Sequence, residues 1–136
     1  MNNTCVACTP RILGILRIVT GYLLLWHGLA KLLHVPHLAV FDNVGVFSLL
    51  GIAGIIELVI GALLILGLFV RQAAFIGSGF GAAAYFIGHV AVKGSFFLPV
   101  ANGGETPILL CFIMLYLVFA GPGSWSLDGM RKKGAA

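Results

Sequence analysis

One acidic residue, Glu57, lies near the middle of an apolar stretch, where a carboxylate is energetically unfavourable unless another group stabilises it. The stretch, residues 47–69, contains no other charged residue. As a helix rising about 1.5 Å per residue, it is long enough to cross a bilayer. A carboxylate at the bilayer centre costs about 3 kcal/mol of insertion free energy or more. A basic partner, a bound proton or a water-lined cavity must therefore offset that cost.

Arg17 is the residue that we predict to pair with Glu57. It belongs to the first apolar stretch, residues 11–33, and lies about 8 Å from the centre of that helix. Its side chain is long enough to extend towards mid-membrane, where each charge would offset the desolvation of the other. Such a pair either fixes the helix register or forms a site in which Glu57 exchanges a proton. A protonated Glu57 without Arg17 is a third interpretation.

A second group of polar residues is predicted to lie at one level near the opposite membrane face. Its members come from three segments of the chain: His27, Lys31, His89, Lys93, Asn102 and Glu105. Imidazole and ammonium groups can hydrogen-bond the carbonyls of a quinone, and an apolar floor below them would suit a ligand with an apolar tail. Alternatively, the two lysines extend to lipid phosphates and the histidines cap loops.

Cys5 and Cys8 form a C-x-x-C motif in the first ten residues. This spacing suits a dithiol redox pair or half of a metal site, so both are redox candidates. No second C-x-x-C is present, and two cysteines in a tail also arise by chance. His34 and His37 are three residues apart, a spacing that can hold a metal. We interpret them as loop residues, so we predict no metal site. The sequence carries no haem, flavin or iron–sulfur motif.

The composition is that of an integral membrane protein. Of the 136 residues, 60% are hydrophobic and only 9% are charged, whereas a soluble domain has about a quarter charged residues. Nineteen glycines fit closely packed transmembrane helices, whose backbones approach through small residues. The net charge of +4 does not indicate nucleic-acid binding, because the basic residues lie mostly at predicted helix ends.

The apolar stretches predict an all-α fold, a bundle of four transmembrane helices. The spans are predicted at about 11–33, 47–69, 72–92 and 105–121. They form a single domain at 11–121, with an N-terminal tail at 1–10 and a basic C-terminal tail at 122–136.

The basic residues orient this bundle. One end carries Arg11, Arg71, Arg131, Lys132 and Lys133, against Lys31 and Lys93 at the other. By the positive-inside rule, both termini are predicted to be cytoplasmic.

Several short motifs, taken in order, resemble the DoxX family of small four-span membrane proteins. They are Arg17 with the GLAK of 28–31, Glu57 with Gly61 and the GLFVR of 67–71, the NGGE of 102–105 and the GPGSWSLD of 121–128. The resemblance covers about residues 11–128, nearly the whole chain. The C-x-x-C motif is not part of this family pattern.

The resemblance implies a four-helix bundle in the bacterial cytoplasmic (inner) membrane. It also implies a link to quinone-coupled thiosulfate oxidation and to membrane-bound oxidoreductase assemblies. By this analogy the positions to follow are Arg17, Lys31, Glu57, Asn102 and Glu105.

Three functions are consistent with these residues. The first is a membrane subunit of a quinone-linked oxidoreductase system, which passes reducing equivalents to a soluble or membrane partner. The second is a non-catalytic anchor or assembly partner of such a complex. The third is a small-solute transporter or channel, for which four short spans would form a homo-oligomer. Whether the chain is itself an enzyme stays open at this level.

Overall fold

The fold is a bundle of helices. The computed structural model describes the backbone of residues 3–134 and the side chains of residues 6–131. In that part of the chain there is no strand, and the principal helices are α1 (Asn3–Leu32), α2 (Leu49–Leu66), α3 (Val70–Lys93), α4 (Glu105–Ala120) and α5 (Leu127–Gly134). The first three have the length and hydropathy to cross a membrane, and α4 is a shorter apolar helix. The predicted all-α four-helix membrane bundle is confirmed.

The first helix begins earlier than the sequence indicated. It starts at Asn3 rather than at Arg11, and it continues through Pro10. Cys8 is an exposed free thiol on this first part of α1, whereas the Cys5 side chain lies outside the described residues. The redox role of the C-x-x-C motif therefore stays a prediction.

Glycines allow α1 and α2 to approach each other closely. A Cβ atom added at Gly21 would lie 2.7 Å from the carbonyl oxygen of Gly61, and one added at Gly28 would lie 2.7 Å from that of Gly54. Small residues of this kind bring transmembrane backbones into contact. The two helices therefore form an antiparallel pair, α3 and α4 form a second, and contacts between α2 and α3 join the pairs.

The centre of the bundle is filled by apolar side chains from all four membrane helices. They are Leu24, Ile60, Leu64, Val70, Ala73, Ala74, Leu110, Met114 and Leu117. Large apolar side chains also cover the outside, among them Phe75, Leu109 and Phe119. An apolar outer surface is what lipid contact requires.

The segment that follows α4 folds back onto the bundle instead of extending as a tail. The amide of Ser124 donates a hydrogen bond to the carbonyl of Pro10, at 2.8 Å, and the amide of Asp128 donates to the carbonyl of Gly67, at 2.9 Å. Ser126 is buried, and its hydroxyl oxygen accepts from the amide of Gly129 in the first turn of α5.

These contacts place the first turns of α1, the α2–α3 turn and α5 at the same end of the bundle, which we call the terminal end. The connections 33–48 and 94–104 lie at the other, the loop end. The cytoplasmic location of the terminal end stays a prediction.

The close approach of α1 and α2 predicts that Gly21→Ala lowers stability. The added methyl group meets backbone atoms of α2, and overpacking of this kind costs about 1–3 kcal/mol. The measurement is the unfolding temperature in detergent. Gly79→Ala is the matched control, because a Cβ atom there meets nothing within 4 Å. Equal unfolding temperatures for Gly21→Ala and Gly79→Ala would contradict the close approach.

Candidate functional site

Glu57 forms an ion pair with Lys31. The Nζ atom of Lys31 lies 2.6 Å from Oε1 and 2.7 Å from Oε2 of Glu57. Only 9% of Lys31 and 5% of Glu57 are exposed, so this pair lies inside the bundle. The predicted pairing of Arg17 with Glu57 is therefore wrong.

The direction of helical side chains explains this exchange of partners. In an α-helix each Cα–Cβ bond tilts towards the helix N-terminus. Since α1 and α2 are antiparallel, Lys31 leans from the loop end towards mid-membrane, and Glu57 leans towards the loop end to meet it. Arg17 leans towards the terminal end and thus away from Glu57. Residue depth alone suggested the Arg17 pairing, but side-chain direction decides against it.

Arg17 instead binds the backbone at the terminal end. Its side chain is fully buried, and its guanidinium donates hydrogen bonds to five carbonyl oxygens. These belong to Leu64, Ile65 (3.0 Å), Pro122 (2.8 Å), Ser124 (3.1 Å) and Trp125 (2.8 Å). The last carbonyls of a helix have no partner within it, and a cation is favourable there. Arg17 therefore caps α2 and attaches the segment that follows α4.

Asp128 caps the N-terminus of α3, the helix that follows α2. Its Oδ1 accepts a hydrogen bond from the amide of Phe69, at 3.0 Å, and its Oδ2 accepts from the amide of Val70, at 2.9 Å. A carboxylate is favourable at a helix N-terminus, where amide groups point outwards. Sequence reasoning missed both caps. The one indication was the Gly-Pro-Gly turn that starts the segment at Gly121 and ends an apolar helix.

A cavity of about 250 Å³ lies between the four membrane helices, beside the Lys31–Glu57 pair. Its polar lining consists of that pair with His27, His89 and Thr106, and its apolar lining includes Leu24, Phe80, Pro107, Leu110 and Met114. Three lining residues, His27, Gly103 and Thr106, are also exposed, so the cavity reaches the surface of the bundle. Glu57 and three residues of the predicted polar group thus share one cavity.

Backbone hydrogen bonds fix how the two histidines can act. The Nδ1 atom of His27 lies 2.8 Å from the carbonyl oxygen of Leu23, and that of His89 lies 3.0 Å from the carbonyl oxygen of Asn102. Because a carbonyl oxygen only accepts, each Nδ1 carries a hydrogen, and Nε2 of the neutral ring is an acceptor. Lys31 has a third N–H beyond the two that face Glu57. The cavity lining therefore offers both a donor and acceptors.

His89 belongs to an irregular part of α3. The helix is α-helical over Val70–Ala83 and π-helical over Ala84–Val90, where the amide of Ala91 donates to the carbonyl of Phe86, five residues earlier. Such segments are rare and are frequent at functional sites. Hydrophobic periodicity predicted an ordinary span here and gave no sign of the wider turn.

The other three predicted residues lie elsewhere. Asn102 is fully buried; its side-chain nitrogen donates to two carbonyls of the connection 94–104, and its oxygen accepts from the amide of Gly104 at 2.8 Å. It therefore holds that connection in shape. Lys93 and Glu105 are exposed, and among the described residues neither belongs to the cavity lining.

The DoxX family model matches residues 12–90, which include Arg17, Lys31, Glu57 and His89. The chain belongs to the DoxX family. The resemblance drawn from the short motifs is thus confirmed.

This DoxX protein is similar in sequence to proteins of two bacteria. An uncharacterized protein of Haemophilus influenzae is 50% identical over 88% of this chain and 90% of its own length. An uncharacterized membrane protein of Mycobacterium tuberculosis is 29% identical over 88% of this chain and 81% of its own length. No solved structure matches the chain.

The contacts of Arg17 predict that Arg17→Met strongly destabilises this DoxX protein. The change leaves five carbonyls without their side-chain donor, of which the carbonyl of Leu64 keeps the amide of Gly67. Each buried carbonyl that is left unsatisfied costs about 1–3 kcal/mol. Arg17→Lys should recover only part of the loss, because an ammonium lacks the fork of five donors. Unfolding temperature in detergent is the measurement, and Arg11→Met, an exposed position on the same helix, is the control. Similar values for Arg17→Met and Arg11→Met would refute the capping role.

The Lys31–Glu57 pair predicts strong coupling in a double-mutant cycle. Lys31→Met alone leaves a buried carboxylate unpaired, for which about 3–5 kcal/mol is typical. Adding Glu57→Gln should restore much of that stability, because no charge is then left buried. The free energy of unfolding is measured with denaturant in micelles, with exposed Lys93→Met as the control. Simple additivity of the two single losses would speak against the pair.

Proposed function

We propose that this DoxX protein is the membrane subunit of a quinone-linked oxidoreductase and binds the quinone headgroup beside the Lys31–Glu57 pair. The observation that supports this proposal is the convergence of an ion pair and two histidines on one cavity between membrane helices. Ionisable groups are costly inside a membrane, so their presence there points to function. The family resemblance adds a thiosulfate- or thiol-linked partner.

The residues of the cavity fit a quinone headgroup in size and chemistry. Pockets that enclose a whole drug-sized ligand usually exceed about 300 Å³. A cavity of 250 Å³ is smaller, so it would hold only the ring of a quinone, and the apolar tail would stay in the lipid. The free N–H of Lys31 can donate to a ring carbonyl. Leu24, Leu110 and Met114 supply apolar contacts to the ring.

The histidines would handle the protons of the reaction. When bound, a quinone supplies two-electron, two-proton redox chemistry. The Nε2 atom of His89 can accept a hydrogen bond or a proton from a hydroxyl of the reduced ring, because its Nδ1–H is held by the carbonyl of Asn102. His27 is both on the cavity wall and exposed, so it connects the cavity with the surface of the bundle. Electrons would pass between the ring and the redox centre of the partner protein.

The membrane in this proposal is the bacterial cytoplasmic (inner) membrane, with both termini in the cytoplasm. The basic residues of the terminal end support this orientation through the positive-inside rule. Both relatives are bacterial proteins, and one is named a membrane protein. The cavity would then lie nearer the outer face of that membrane.

A non-catalytic membrane anchor or assembly partner is the second candidate. The fixed shape of the terminal end favours it, because Arg17 and Asp128 attach the segment after α4 to three helices. Such a surface suits the docking of another protein. We do not propose the transporter or channel, because fully buried Leu64, Met114 and Leu117 fill the bundle between the cavity and the terminal end.

Binding of a short-chain quinone, ubiquinone-1, to the purified protein tests the first candidate. His89→Phe removes Nε2 from the cavity wall, and loss of a hydrogen bond between neutral groups typically costs about 0.5–1.5 kcal/mol. The dissociation constant should therefore rise about two- to tenfold, as followed by quenching of tryptophan fluorescence.

His37→Phe is the control, because His37 is an exposed loop residue outside the cavity lining. Equal affinities of His89→Phe, His37→Phe and the unchanged protein would place quinone elsewhere and reject the cavity. Native mass spectrometry of gently solubilised protein separates the candidates further. A stoichiometric protein partner without any quinone would favour the anchor.

A further inference from the structure

We infer that the terminal end binds the phosphate headgroup of an anionic phospholipid, on a surface formed by Arg11, Arg71 and Arg131. We call these three residues the arginine surface. All three side chains are exposed, and none of them lines the cavity. The inference therefore stands independently of the proposed quinone site.

The three arginines belong to elements that meet at the segment that follows α4. Arg71, in the first turn of α3, donates a hydrogen bond to the carbonyl of Val118 at the end of α4, at 2.6 Å. Arg131, on α5, lies with its Cζ atom 5.7 Å from the ring centroid of Phe69, two residues before Arg71. Arg11 directly follows Pro10, whose carbonyl binds the amide of Ser124.

The positive charge of this surface exceeds the negative charge of the acidic residues near it. The chain has four acidic residues, and three of them, Asp42, Glu57 and Glu105, lie in the loop-end half or at mid-membrane. The fourth, Asp128, has both oxygens engaged by the amides at the start of α3. Of the five N–H groups of the Arg71 guanidinium, one is used on Val118. The sequence adds two further lysines directly after Arg131.

Exposed apolar side chains accompany the arginines. Trp125 is 62% exposed, Met130 is 61% exposed and Phe69 is 49% exposed. Tryptophan beside basic residues is typical of the membrane–water boundary, and a short helix with basic and apolar side chains lies in that boundary. Guanidinium groups bind phosphate well because their planar donors match its oxygens. A ligand with a phosphate and adjacent acyl chains, an anionic phospholipid, satisfies both features at once.

Lipid retention in native mass spectrometry tests this inference. The protein in detergent is incubated with equal amounts of phosphatidylglycerol and phosphatidylcholine, and the lipid-bound species are compared. We expect the anionic lipid to be retained about tenfold more than the zwitterionic one. In the double variant Arg71→Gln, Arg131→Gln this preference should fall to about twofold, because two of the three arginines of the surface are then neutral.

Two controls make the result specific. The variant Arg71→Lys, Arg131→Lys keeps the charge and should retain most of the preference, and Lys93→Gln removes a cation at the loop end and should retain all of it. The unfolding temperature of each variant shows that the bound species are folded. An unchanged preference in the glutamine variant overturns the inference. Displacement of the lipid by millimolar inorganic phosphate also overturns it, because the site would then be one for free phosphate.

Discussion

A membrane offers no water to backbone carbonyls, and the guanidinium of Arg17 meets this constraint for the terminal end of the bundle. One side chain supplies hydrogen bonds to the end of α2 and to the segment after α4. Because that segment is held there, Asp128 can reach the amides that begin α3. The turn between α2 and α3 is thus closed from both sides. Helices α1, α2 and α3 are therefore joined to one another at the terminal end.

The two buried cations have different roles because their side chains differ chemically. Arg17 has a planar fork of five donors, all directed at fixed carbonyls, and keeps no capacity for a ligand. Lys31 has three donors on a flexible stem and directs two contacts at Glu57. Lys31 also lines a cavity together with two imidazoles. In the proposed function, a structural role and a ligand-binding role therefore fall to different cations at different depths of the same helix.

Hydropathy was sufficient to predict the four helices, because apolar stretches of membrane length are rare in other proteins. The polar face shared by His27, Lys31 and His89 was also predictable from their common depth. The partner of Glu57 was not, since it depends on the direction of side chains in antiparallel helices. The role of Asn102 and the position of the segment after α4 depend on hydrogen bonds to backbone carbonyls. Because every residue has such a carbonyl, the sequence does not indicate which of them are bound.

The π-helical turn of α3 has a consequence for how this helix can change during evolution. A π turn accommodates one residue more than an α turn, so it acts as an inserted residue between two regular parts of the helix. Because the wider turn already absorbs the extra residue, deleting one residue within Ala84–Val90 would restore α geometry and leave the orientation of the helix beyond it nearly unchanged. A deletion within the regular part, Val70–Ala83, would instead rotate everything beyond it by about 100°. The π-helical segment is therefore the part of α3 in which the chain can lose one residue without turning one half of the helix against the other.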